Sequence, residues 1–262
     1  MLSFTDQLDR TIILPGIPQR IVSLVPSQTE LLYDLGLDTE VAGITKFCVH
    51  PENWFRSKKR IGGTKNVNID SIHLLQPDLI IANKEENVKE QVEALAAKYP
   101  VWISDVNNLE DACNMIHDLG IITGKATKAI EIVNAVQHSF TQLQSLSPPL
   151  HTAYLIWKNP YMTIGNDTFI HHLLSRCGLR NVFADRTRYP AVTVEELQAT
   201  NCQVLLLSSE PYPFKQQHID ELQEQLPDTR ILLVDGEMFS WYGSRLLQTP
   251  GYIDALLRNF HL

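Results

Sequence analysis

The sequence predicts an α/β protein of two similar lobes, each with a mostly parallel sheet, joined by one long backbone helix, with a ligand cleft between the lobes. Three observations predict it. The chain repeats itself: residues 69–83 align without a gap to residues 194–208, so that Val194 stands 125 positions after Ile69. Each copy reads as an acidic residue opening a short helix, a polar break, then a buried strand. Strand-like runs alternate with helical stretches through both halves, the pattern of a parallel sheet covered on both faces. Between the halves, residues 125–146 place apolar side chains at Ala126, Ala129, Ile130, Val133, Val136, Phe140 and Leu143, the steps of three and four of an amphipathic helix.

Each element follows in order. Strands are expected at 20–25, 41–45, 79–82 and 101–103 in the first half, and at 151–157, 204–207 and 231–234 in the second. Ser27 reads as an N-cap with Glu30 three residues on, a capping box for a helix over 27–35. Gly36 closes that helix, as Gly178 closes one over 169–177. The central helix, about 33 Å long at ~1.5 Å per residue, stops before Pro148 and Pro149. The expected organisation is an N-terminal lobe over 1–122, the backbone helix over 123–147 and a C-terminal lobe over 148–262.

Composition narrows the function. An apolar fraction of 44% is that of an ordinary globular chain, and no run approaches the ~18 apolar residues of a membrane helix. Asp6 and Asp9 fall early and no apolar run accompanies them, so the N-terminus does not read as a signal peptide. Either the chain works in the cytoplasm or an export signal is missing from this sequence. A net charge of −8 argues against a nucleic-acid partner. Cys48, Cys113, Cys177 and Cys202 are too far apart for zinc or redox motifs and read as separate reduced thiols.

Other signals fall away. The glycines at 120 and 124 imitate a phosphate loop, but the spacing is one residue short and Ala126 replaces the required hydroxyl. His171 and His172 are adjacent on a helix and diverge by ~100°, so they cannot face one metal. His50 could ligate a bound cofactor's metal, although a surface loop histidine is the plainer reading. No nucleophile elbow, zincin helix or dinucleotide turn appears, and the chain is expected not to be an enzyme.

An ordered set of segments carries a resemblance: Asp6-Gln7-Leu8-Asp9-Arg10-Thr11, Arg20-Ile21-Val22-Ser23-Leu24-Val25-Pro26-Ser27, Thr29-Glu30, Leu35-Gly36 and Gln76-Pro77-Asp78-Leu79-Ile80. Together they resemble the substrate-binding proteins of ABC importers for cobalamin, haem and iron–siderophores, most closely the cobalamin binders. The resemblance implies two α/β lobes on a helical backbone and a monomer with no cofactor of its own. Its ligand would be a cobalt corrinoid or an iron chelate, delivered to an ABC permease in the membrane. Asp70 and Glu195 match glutamates that meet permease arginines in the family. Phe47 matches a family tyrosine, Tyr189 a tryptophan and Glu237 an acidic residue of the ligand pocket.

Thr64 stands where the family has a tryptophan, with Trp54 or Lys65 nearby to compensate, and Trp241 and Tyr242 could add flat surface. The implied location is periplasmic or membrane-associated. The alternatives are a siderophore or haem receptor, with Lys46, Lys65 and Arg245 as cations for an anionic chelate, and a cytoplasmic carrier or enzyme of the same fold.

Overall fold

The strands related by the repeat, Leu79–Asn83 and Val204–Ser208, are buried at every residue, as strands covered by helices on both faces must be. The computed structural model describes residues 1–258 and 260. Positions 259, 261 and 262, at the end of the expected second lobe, lie outside the described residues. The chain forms two compact units: Met1–Val106 with Glu110–Gln137 and Tyr242–Leu247, and Asn107–Leu109 with His138–Trp241 and Gln248–Leu262.

The first unit opens with an antiparallel hairpin of β1 (Leu2–Thr5) and β2 (Thr11–Leu14). It continues through β3 (Ile21–Ser23), α1 (Pro26–Asp34), β4 (Val41–Ile44), α2 (Glu52–Ser57), β5 (Lys59–Arg60), α3 (Ile69–Leu75), β6 (Leu79–Asn83), α4 (Lys89–Ala96), β7 (Val101–Ser104) and α5 (Leu109–Ile122). Its parallel sheet has the order β5-β4-β3-β6-β7. After α6 (Ala126–Thr141), the second unit runs through β8 (Leu150–Leu155), β9 (Tyr161–Met162), α7 (Phe169–Arg176), β10 (Leu179–Asn181), β11 (Ala191–Val192), α8 (Val194–Ala199), β12 (Val204–Ser208), α9 (Gln216–Gln223), β13 (Arg230–Val234), α10 (Glu237–Ser240) and α11 (Thr249–Arg258).

The parallel order in the second unit, β10-β8-β12-β13, repeats β4-β3-β6-β7 strand for strand. The period-2 pleat explains how one strand serves two cores. On β12, Val204 and Leu206 join Tyr154, Leu174, Phe239 and Ile253 on one face. Leu205 and Leu207 join Phe183, Leu197 and Leu222 on the other.

Several local expectations are corrected. The capping box at Ser27 does not form: Pro26 occupies the first helical turn of α1, Val25 is the N-cap without a side-chain bond, and Ser27 is buried. A proline's missing amide makes it a natural first helical residue, and it moves the start one residue earlier. Glu30 is thereby released for another partner. Gly36 behaves as expected, at φ +79 with the two hydrogen bonds of a Schellman turn, Gly36 N–H to Tyr33 O and Leu37 N–H to Leu32 O. The central helix ends at Thr141 rather than 146, because the amides beyond it find tertiary acceptors. Gln144 N–H bonds Asp254 Oδ1 at 3.1 Å, and Leu146 N–H bonds Cys177 O at 3.1 Å. Helix α5 lies outside the expected elements, although its buried Ala112, Met115, Ile116, Leu119 and Ile122 keep helical spacing.

All four cysteines are free and buried. Burial raises the Cys48 and Cys113 thiols and pushes Cys177 up to about 12 and Cys202 to about 11. A thiolate is the reactive form. Native protein at pH 8 is therefore expected to react with an aromatic disulfide reagent at least about 100-fold more slowly than the guanidinium-unfolded chain, which releases four equivalents. Rapid release of one equivalent from native protein would contradict this.

Candidate functional site

In a parallel sheet, the loops beyond the carboxyl ends of neighbouring strands converge, and ligands bind there. In the first unit these loops follow β4, β5 and β6. Phe47, after β4, is 51% exposed. Its ring lies on Gly63, where an added Cβ would stand 3.0 Å from Phe47 Cε2, and Lys46 Nζ sits 5.0 Å from the ring centroid. Thr64 follows Gly63; its carbonyl accepts from Asn87 Nδ2 at 3.0 Å, and the same amide reaches Leu24 O at 3.3 Å. Asn87 therefore ties the loop after β5 to the end of β3. Lys65 donates its amine to Glu85 O. Burial raises the carboxyl of Glu86, and the charge of Lys65 opposes the rise.

Phe47, Thr64 and Lys65 thus share one edge of the first sheet. Trp54 does not join them. It lies in α2, only 1% exposed, edge-on to Tyr33 with centroids 5.3 Å apart, and its indole N–H bonds Asp38 Oδ1.

In the second unit, Gly236 ends the turn after β13. An added Cβ there would stand 2.4 Å from Ser208 Oγ and 2.6 Å from Glu210 Cγ, so both side chains would have to shift to admit one. Glu210 Oε1 then accepts from Trp241 Nε1 at 2.8 Å and Ser240 Oγ at 2.9 Å. This clasp leaves Trp241 only 6% exposed; the ring is anchored more than it is displayed. Glu237 is half-buried at the start of α10, its amide bonded to Asp235 Oδ1 at 3.0 Å. Tyr189 is half-buried against the core of Tyr154 and Phe239, with the Arg188 guanidinium 5.8 Å from its ring centroid.

Sequence reasoning missed two residues here. Trp157, two residues beyond β8, is 40% exposed and stands edge-on to Tyr212, with centroids 5.7 Å apart. The expected strand over 151–157 includes it, but β8 stops at Leu155, and Pro160 downstream is the sequence signal for that early stop. Glu210 stands 125 residues after Glu85, so the repeat itself pointed to an acidic loop position.

Tyr242 and Arg245 belong to the first unit and are 8% and 7% exposed. The Arg245 guanidinium grips Glu30 in both prongs: Nε to Oε2 at 2.9 Å and Nη2 to Oε1 at 2.7 Å.

Asp70 and Glu195 are the second residues of α3 and α8, and both are exposed. Asn68 caps α3, accepting from Ser71 N–H at 2.9 Å. A capping box between Thr193 and Glu196 starts α8. The hydroxyl of Thr193 holds the Glu195 carboxyl below its ordinary value. A cavity of about 430 Å³ lies elsewhere, between β1 and α5, and none of the expected ligand residues lines it.

A family described as periplasmic binding protein matches residues 21–231. An ABC transporter substrate-binding lipoprotein of Bacillus subtilis (strain 168) is 26% identical over 212 residues, covering 76% of this chain and 67% of its own length. A vitamin B12-binding protein of Yersinia pestis (strain Pestoides F) is 26% identical over 195 residues, covering 72% and 69%. The solved periplasmic heme-binding protein of Roseiflexus sp. RS-1 superposes with a TM-score of 0.80 at 20% identity, over 92% of this chain and 98% of that one.

Proposed function

The chain belongs to the periplasmic binding protein family, and from that membership we propose that it is the substrate-binding protein of an ABC importer for a metal-bearing macrocycle or chelate. A cobalt corrinoid is the ligand it fits best. The observation that carries this reading is the pair of exposed aromatic rings, Phe47 and Trp157, held beyond the carboxyl ends of the equivalent sheets. Flat rings give large apolar contact at small entropic cost, and a few polar groups such as Lys65 and Glu237 fix orientation. The curated relative that binds vitamin B12 supports the corrinoid. The chain acts as a carrier without catalysis, at the membrane face where importers collect their cargo.

Titration with cyanocobalamin, hemin and a ferric hydroxamate, followed by intrinsic fluorescence, tests the reading. Micromolar or tighter binding of cyanocobalamin is expected. Failure of all three to bind more tightly than about 1 mM, ~−4 kcal/mol, overturns it.

Asp70 and Glu195 are proposed to meet permease arginines. Carboxylates in a first helical turn are favoured by the helix dipole and remain open to a forked guanidinium partner. Charge reversal at both, Asp70→Lys with Glu195→Lys, is expected to cut stimulation of the importer's ATPase at least about tenfold, since each reversal sets like charge against a permease arginine, and to leave the ligand Kd unchanged. Unchanged stimulation contradicts the docking role.

A further inference from the structure

The hairpin of the first unit leaves one strand edge open beside a helix. Asp6 N–H bonds Arg10 O at 3.0 Å, and the register pairs Phe4 with Ile12 and Leu2 with Leu14. Bonded pairs alternate along an antiparallel ladder, so the amides and carbonyls of Ser3 and Thr5 point away from β2. Among the described residues, no strand pairs with that edge of β1. The cavity of about 430 Å³ runs along it, walled by Ser3, Phe4, Thr5 and Asp6 on the hairpin, the Asp6 carboxylate already paired with Arg10, and by Asp118, Ile121 and Ile122 on α5.

Proteins usually blunt an exposed edge with charge, proline or a bulge. The edge strand β5 does so, with Lys59 and Arg60 both exposed. Strand β1, Leu2-Ser3-Phe4-Thr5, carries none of these devices, and its register is regular. Across the groove, Ile121 is 40% exposed. The Asp118 side chain, 36% exposed, has His117 Nδ1 at 3.5 Å. Burial raises that carboxyl, an environment that a cation would relieve.

We propose that this groove docks an extended segment of another polypeptide, which adds as a strand to β1 and sets a lysine or arginine against Asp118. Strand addition takes affinity from main-chain bonds and specificity from alternate side chains. The groove supplies both: outward groups on Ser3 and Thr5, and on the helix wall the Asp118 carboxylate beside the apolar Ile121 and Ile122. A second copy of the chain fits poorly. Residues 1–9 contain no lysine or arginine, and pairing two chains of net charge −8 would bring Asp118 towards acid instead of base.

The test is a titration of the ¹⁵N-labelled protein with a capped hexapeptide, Thr-Val-Lys-Val-Thr-Val, and with its Lys→Glu counterpart. Shifts at the amides of Ser3, Thr5 and Asp118 are expected, with the acidic peptide about tenfold weaker. Ser3→Pro removes an outward N–H and should abolish binding. Asp118→Asn should bring the two peptides within about threefold of each other. The comparison of peptides on the unsubstituted protein stands even if Ser3→Pro fails to fold. No shift at Ser3 and Thr5 by about 1 mM peptide, equal binding of the two peptides, or self-association that Ser3→Pro removes would each overturn the proposal.

Discussion

Glu30→Gln is expected to lower the unfolding free energy by about 3–5 kcal/mol, the cost of stranding a buried charge. The side chains of Arg245 and Glu30 are only 8% and 14% exposed, and both guanidinium prongs are engaged. The pair fastens Tyr242–Leu247 to α1, where Gly243 packs so closely that an added Cβ would stand 2.8 Å from Ser27 O. Replacing both partners with apolar residues, Glu30→Leu with Arg245→Met, should recover most of the loss, because a buried pair often does little better than well-packed hydrocarbon. Urea unfolding of the three variants measures this, and a loss below about 1 kcal/mol, the range of an exposed pair, would contradict it.

The second large effect is on binding. Phe47→Ala and Trp157→Ala are each expected to weaken the corrinoid about 30-fold, roughly the 2 kcal/mol of a truncated aromatic anchor. Stability should hardly change, because the two rings are 51% and 40% exposed. Trp54→Ala should do the opposite. Removing a ring that is 1% exposed costs about 3–5 kcal/mol of stability, with affinity affected only through the fold. Calorimetric titration beside thermal unfolding separates the two classes. Equal behaviour of Trp54→Ala and Trp157→Ala would contradict the assignment.

The fold was legible because its signals are periodic and local. The 125-residue repeat falls on α3 and β6 in one unit and on α8 and β12 in the other, with both strands in identical register. Gly36 and Gly178 close the helices they were expected to close, both at positive φ. Ends set by tertiary bonds were not legible: nothing local told that the amide of Gln144 would leave the helix for Asp254. The site was less legible for the same reason. Arg245 reads identically as a free cation or as a partner of Glu30, 215 residues away in sequence. Trp54 and Trp157 are the same residue type, and only packing separates the core ring of α2 from the displayed one beyond β8.

Hydrogen exchange with and without saturating cyanocobalamin tests the central claim most directly, because it reports which loops hold the ligand. Slowed exchange is predicted in residues 45–50 and 61–66 and in residues 156–160 and 236–241, the loops beyond the carboxyl ends of the two parallel sheets. No protection in these loops, or protection appearing instead along Leu2–Thr5 and the second half of α5, would contradict it.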